Sequence, residues 1–123
     1  MKEEKKLYSV KEVCEKYGIT RKTLFYYDRE GLLKPEVRKG LQNFKYYSAK
    51  DLDKLEKIIE FRNAGVPIAT LKTILGNMED HRKIIGLLEE TKFSLIIHCK
   101  EVKKELINID VLINRYKHIN QED

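Results

Sequence analysis

Between Asp80 and Lys117 the chain has no proline, and its one glycine there, Gly86, lies near the start. Apolar residues recur through this stretch with a seven-residue period. Ile85, Lys92, Cys99, Leu106 and Ile113 fall at one core position of the heptad, and Leu88, Leu95, Val102, Ile109 and Tyr116 at the other. All of these except Lys92 are apolar or Cys, which is the pattern of a coiled-coil seam. A helix of that length spans roughly 55 Å at a rise of 1.5 Å per residue, too long to be buried in a small domain. One chain of 123 residues offers it no equally long partner, whereas a second copy does. The expectation is a homodimer, with Leu88, Leu95, Cys99, Val102, Leu106, Ile109 and Ile113 as its dimerisation residues. The alternative is a helix folded back on its own domain. A second apolar stripe, Phe93, Ile97, Ile107 and Val111, suits packing against the N-terminal domain of either subunit, or one wall of an effector pocket.

The remaining residues divide the chain into an N-terminal domain, 1–76, and a helix with a short tail, 77–123. Ser9-Val10-Lys11-Glu12 reads as a capping box opening a short helix that Gly18 ends. Val10, Val13, Cys14 and Tyr17 give that helix its inner face, so Cys14 is expected to be a small buried apolar residue. Thr20 can cap a second helix running through Leu24 and Tyr27 to Glu30, with Gly31 after it. Two short helices joined by Tyr17-Gly18-Ile19 make a helix-turn-helix candidate. From Leu32 to Tyr47 the helical period breaks at Pro35, Gly40 and Asn43, then gives way to the strand-favouring Phe44-Lys45-Tyr46-Tyr47. That stretch reads as a β-hairpin, or wing. Ser48-Ala49-Lys50-Asp51 opens a third helix with Leu52, Leu55, Ile58, Ile59 and Phe61 as its apolar face. Pro67 opens a fourth, with Ile68, Leu71, Ile74 and Leu75 inward and Gly76 at its end.

Charge is concentrated in the first part. Residues 1–75 hold 17 Lys and Arg against 11 Asp and Glu, a net of +6; residues 76–123 hold 8 against 9, a net of −1. From Lys16 to Lys50 there are 9 bases against 3 acids, so a polyanion, and nucleic acid in particular, is the expected partner. Arg21 and Lys22 open the second helix, where a helix N-terminus attracts phosphate and side chains reach base edges. Thr20 is first a cap and second a contact. Tyr27 falls with Leu24 in the core, while Tyr26 can offer its hydroxyl to a phosphate. Arg38, Lys39 and Lys45 in the wing are phosphate candidates that position the protein without reading sequence.

Other chemistry finds little support. Cys14 and Cys99 are far apart and form no metal-ligand spacing, and His81, His98 and His118 are scattered, so neither a metal nor another cofactor is expected. There is no phosphate loop, no H-E-x-x-H and no nucleophile elbow, so the chain does not read as an enzyme. The N-terminal Met1-Lys2-Glu3-Glu4-Lys5-Lys6 has no apolar stretch behind it and does not read as a signal peptide; no apolar run is of membrane-spanning length. A cytoplasmic location is expected.

The N-terminal stretch resembles the MerR family of bacterial transcription regulators. The resemblance is carried by Tyr8-Ser9-Val10-Lys11-Glu12-Val13, Tyr17-Gly18-Ile19-Thr20, Thr23-Leu24-Phe25-Tyr26-Tyr27-Asp28 and Gly31-Leu32-Leu33-Lys34-Pro35. It continues through Phe44-Lys45-Tyr46-Tyr47-Ser48 and Gly65-Val66-Pro67-Ile68, about the first 75 residues in register. The resemblance implies a mainly α fold, a winged helix-turn-helix followed by a long antiparallel coiled-coil dimerisation helix. It implies a transcription regulator that places the second helix of each subunit in a major groove of a pseudo-palindromic promoter operator. RNA polymerase at the promoter is then a further candidate partner, and the effector is left open. In an antiparallel pair Cys99, near the helix midpoint, could face its own copy. The chain ends a few residues past the long helix, so the large ligand-binding domain that some relatives carry is not expected. Two departures stand out: Phe25 occupies a position where the family usually has a backbone-contacting Arg, and Phe44-Lys45 replaces the common Tyr-Arg. Other readings left open are a coiled-coil interaction or antagonist protein and an architectural DNA-binding factor without an effector.

Overall fold

The computed structural model describes residues 6–40 and 44–121, without the side chains of Val37, Arg38 and Gln121. The chain divides into two compact units, one within Met1–Gly76 and one within Asn77–Asp123.

The first unit holds β1 (Leu7–Ser9), α1 (Val10–Tyr17), α2 (Arg21–Arg29), β2 (Val37–Lys39), β3 (Phe44–Ser48), α3 (Ala49–Asn63) and α4 (Ile68–Leu75). The expected wing is present as the antiparallel pair β2–β3, with Val37 opposite Tyr46, Arg38 opposite Lys45 and Lys39 opposite Phe44. Asn43 of the expected turn lies outside the described residues. The strand β1 was not legible in the sequence. It pairs antiparallel with the other edge of β3, Leu7 opposite Ser48 and Ser9 opposite Tyr46, so β3 is the central strand. Three residues are too few to show a period-2 pattern, and their partner is far along the chain.

Both β1 and β3 end on a serine that also starts a helix. The Glu12 amide donates to Ser9 Oγ at 3.1 Å, and the Ser9 amide donates to Glu12 Oε1 at 3.1 Å. Ser48 and Asp51 repeat the arrangement at the start of α3, at 3.2 and 2.9 Å. Each box satisfies two backbone donors that a helix start leaves without partners. The pairing of β1 with β3 therefore fixes the origins of α1 and α3 together. Gly18 ends α1 at φ 65°, and its amide donates to the Cys14 carbonyl. No heavy atom lies within 4 Å of a Cβ built there, so the left-handed backbone alone favours glycine.

The core draws on every helix of the unit. Leu24, Leu55, Ile58, Leu71 and Ile74 have no accessible surface, and neither does Tyr47 of β3. Val13, Leu32, Leu33 and Val66 close the gaps between them. Ile59 and Phe61, expected on the inner face of α3, are half-buried, as is Cys14. Each fully buried aliphatic side chain contributes about 1.5–3 kcal/mol, more than a surface hydrogen bond, so apolar burial holds this unit together.

The second unit is dominated by α5 (His81–Gln121), 41 residues and about 60 Å long. Asp80 starts it, accepting from the Lys83 amide at 3.1 Å. It runs four residues beyond the expected end at Lys117, because His118-Ile119-Asn120-Gln121 contains nothing that breaks a helix. None of its described side chains is fully buried within the single chain.

One polar tie between helices can be tested. The Tyr17 hydroxyl of α1 donates to Glu56 Oε1 of α3 at 2.9 Å. Burial, and then this bond to Glu56, pushes the Tyr17 hydroxyl up from 10.0 to about 12. A folded-state value above the unfolded one means the neutral phenol contributes stability below about pH 10 that is lost as pH rises towards 12. Tyr17→Phe should cost about 1 kcal/mol at neutral pH. Urea unfolding at several pH values should show that the gap between wild type and Tyr17→Phe narrows in that alkaline window. A gap constant with pH contradicts the assignment.

Candidate nucleic-acid interface

The helix-turn-helix is built as its caps dictate. The Thr23 amide donates to Thr20 Oγ1 at 3.0 Å, and the Thr20 hydroxyl reaches Thr23 Oγ1 at 3.0 Å. Thr20 is thus engaged as the N-cap of α2. Leu24, Tyr27 and Asp28 are buried on the inner face. Arg21 and Lys22 are exposed in the first turn, which holds no acidic side chain. Their charges add to the positive end of the helix dipole instead of cancelling it. Tyr26 is half-buried; the Arg29 guanidinium stands 5.9 Å from its ring centroid.

Beside α2 lies an open concavity of about 470 Å³ where β1, α1, α2 and β3 meet. Lys11 comes from the start of α1, Arg21 and Phe25 from α2, and Phe44, Lys45 and Tyr46 from β3. Among the described residues lining it none is acidic, and three are basic. Phe25, Phe44 and Tyr46 add aromatic surface to this lining.

The expected site residues divide between this surface and other roles. Arg21 and Lys45 share the concavity, and Lys39 is exposed on the adjacent strand with Nζ 5.6 Å from the Tyr46 ring. Lys22 is exposed at the helix start. The side chain of Arg38 lies outside the described residues. Lys45, read in sequence as a wing cation facing phosphate, is already engaged: Nζ lies 3.1 Å from Asp28 Oδ2 and 4.1 Å from the centroid of Phe25. Sequence reasoning missed Lys11, Phe25 and Phe44 as lining residues and Asp28 as the carboxylate beneath Lys45. Lys11 could not be placed because it reaches β3 only through the pairing of β1.

Burial raises the Cys14 thiol, with Arg21 opposing the shift, so Cys14 stays a protonated thiol at neutral pH. On α5, Leu95, Val102, Leu106, Ile109 and Ile113 are exposed in the single chain, as is Cys99, while Leu88 is half-buried. Among the described residues no helix is long and apolar enough to cross a membrane.

Residues 8–78 match the family model described as MerR HTH family regulatory protein. The chain belongs to the MerR family. It is 30% identical over 101 residues to the multidrug-efflux transporter 2 regulator of Bacillus subtilis, covering 81% of this chain and 36% of that protein. It spans between about a quarter and about a third of the length of the first curated relatives it matches. Among solved structures, it is similar to HiNmlR, a MerR family regulator lacking the sensor domain, bound to promoter DNA. The TM-score is 0.61 at 25% identity, over 95% of each chain. It is also similar to MtaN, the N-terminus of the Bacillus subtilis multidrug transporter activator, with a TM-score of 0.67 at 28% identity. That match covers 86% of this chain and 97% of the other. The winged helix-turn-helix and the long C-terminal helix expected from the sequence are the family's architecture.

Proposed function

We propose that this chain is a transcription regulator that binds double-stranded promoter DNA as a homodimer. The observation that carries the reading is the first turn of α2, where exposed Arg21 and Lys22 stand on a helix-turn-helix with no acid to offset them. In this reading α2 enters the major groove from its N-terminal end, with Arg21 and Lys22 reaching base edges or phosphates. Lys11 and Lys39 face the flanking backbone, with Arg38 of the wing as a further phosphate contact and the hydroxyl of Tyr26 as another. The likeness to HiNmlR, whose structure holds promoter DNA, supports DNA as the partner.

The second unit supplies the dimer. An isolated helix carrying Leu95, Val102, Leu106, Ile109 and Ile113 in water gains by burying them, and a second copy of α5 presents the same seam. Antiparallel pairing sets two heads at a fixed separation, which a pseudo-palindromic operator matches with two half-sites. Cys99 lies near the middle of α5, so such pairing brings the two thiols towards the two-fold axis. A promoter-bound regulator of this kind works in the cytoplasm and meets RNA polymerase there. The chain acts by binding, not by catalysis.

Replacing Arg21 and Lys22 together with Ala should weaken binding to a duplex selected from random DNA by the wild-type protein. Each lost base contact should cost about 1–3 kcal/mol, measured by fluorescence anisotropy. Binding equal to wild type would show that α2 is not the recognition helix.

Assembly has its own test. Leu95→Asp combined with Val102→Asp puts charge into an apolar seam, where desolvation is costly, and should yield monomers by sedimentation velocity. Operator binding should fall with dimerisation. A wild-type protein that is monomeric at micromolar concentration would rule out the dimer.

A further inference from the structure

We propose that Lys45 is a positioning residue that clasps the wing strand β3 to the recognition helix α2, and that it does not contact phosphate. The proposal rests on the reading of the head as a DNA-binding unit and concerns how its two DNA-facing elements are held at a fixed angle. Lys45 Nζ is 3.1 Å from Asp28 Oδ2, and the two side chains are 22% and 9% exposed. The same ammonium lies 4.1 Å from the centre of the Phe25 ring. Phe25 and Asp28 are three residues apart on α2 and therefore share a face, so one helix offers the ammonium both a carboxylate and an aromatic surface.

The energetics favour a fixed clasp over a mobile cation. For Lys45 to give its charge to a phosphate it must give up both a carboxylate that is almost out of solvent and the face of the Phe25 ring. Exposed cations such as Arg21, Lys22 and Lys39 meet a phosphate without that cost. The π face of Phe25 adds a second attraction for the same ammonium. Phe25, Asp28 and Lys45 thus form one interdependent set linking α2 to the central strand of the sheet.

The test uses the full chain and the duplex selected from random DNA by wild type, with Lys45→Met, Asp28→Asn and the double variant. Without DNA, amide hydrogen exchange across β2 and β3 should be faster in each single variant. Operator affinity should fall severalfold in both, while the slope of log K against log salt stays at the wild-type value. Weaker binding by Asp28→Asn is the decisive sign, because removing a negative charge from a DNA-binding head strengthens binding if the charge acts only through its field. The double variant should bind no worse than the weaker single variant, as expected when two residues act as a unit. Its exchange rates decide the matter if Lys45→Met fails to fold. A salt slope reduced by about one in Lys45→Met would make Lys45 a phosphate contact and overturn the proposal. Tighter binding by Asp28→Asn, or wing exchange unchanged in all three variants, would overturn it as well. If wild type selects no duplex, the DNA reading fails, and the exchange measurement still decides the clasp.

Discussion

Backbone pairing of β3 with β1 on one edge and with β2 on the other is the constraint through which the parts of the head are joined. The β1 pairing brings Ser9 and Ser48 into one sheet, and with them the first turns of α1 and α3. The β2 pairing makes the wing. Tyr47 anchors the strand in the core, and Lys45 reaches from it to Asp28 on α2. The basic concavity exists only because three elements converge on this strand.

A different balance governs the second unit. A helix of 41 residues gains from cooperative propagation, since nucleation is met once and each further residue adds a hydrogen bond. Its side chains tell against a solitary existence. Leu106 and Ile109 are more than half exposed in the single chain, and burying such a residue is worth about 1.5–3 kcal/mol. In the proposed dimer a second copy of α5 would cover several of them along one seam, a gain set against the entropy of associating two chains. The head's charge and the helix's apolar seam therefore divide the work: one favours a polyanion, the other a second copy of the chain.

Much of this was legible in the residues themselves, because the signals were local. The Ser9–Glu12 box, Gly18 and the Thr20 cap delimit α1 and α2 within a few residues of chain, and the heptad pattern of α5 needs no tertiary information. What was not legible depends on distance along the chain. Strand β1 is three residues long and owes its existence to pairing with β3. The engagement of Lys45 depends on Asp28, a residue of another element whose burial no local pattern reveals. Composition could therefore count the cations of the head, but only the packed structure separates Arg21 and Lys22, which are exposed at a helix start, from Lys45, which is paired with Asp28.

In the proposed dimer two heads, joined through α5, read DNA as a symmetric pair. Selection of bound sites from a pool of random duplexes by the purified protein, followed by sequencing, tests it most directly. A symmetric dimer should enrich an inverted repeat whose half-site centres are separated by whole turns of the double helix, roughly 10–10.5 base pairs or a multiple. Recovery of no enriched sequence, or of a single unrepeated half-site, would contradict it.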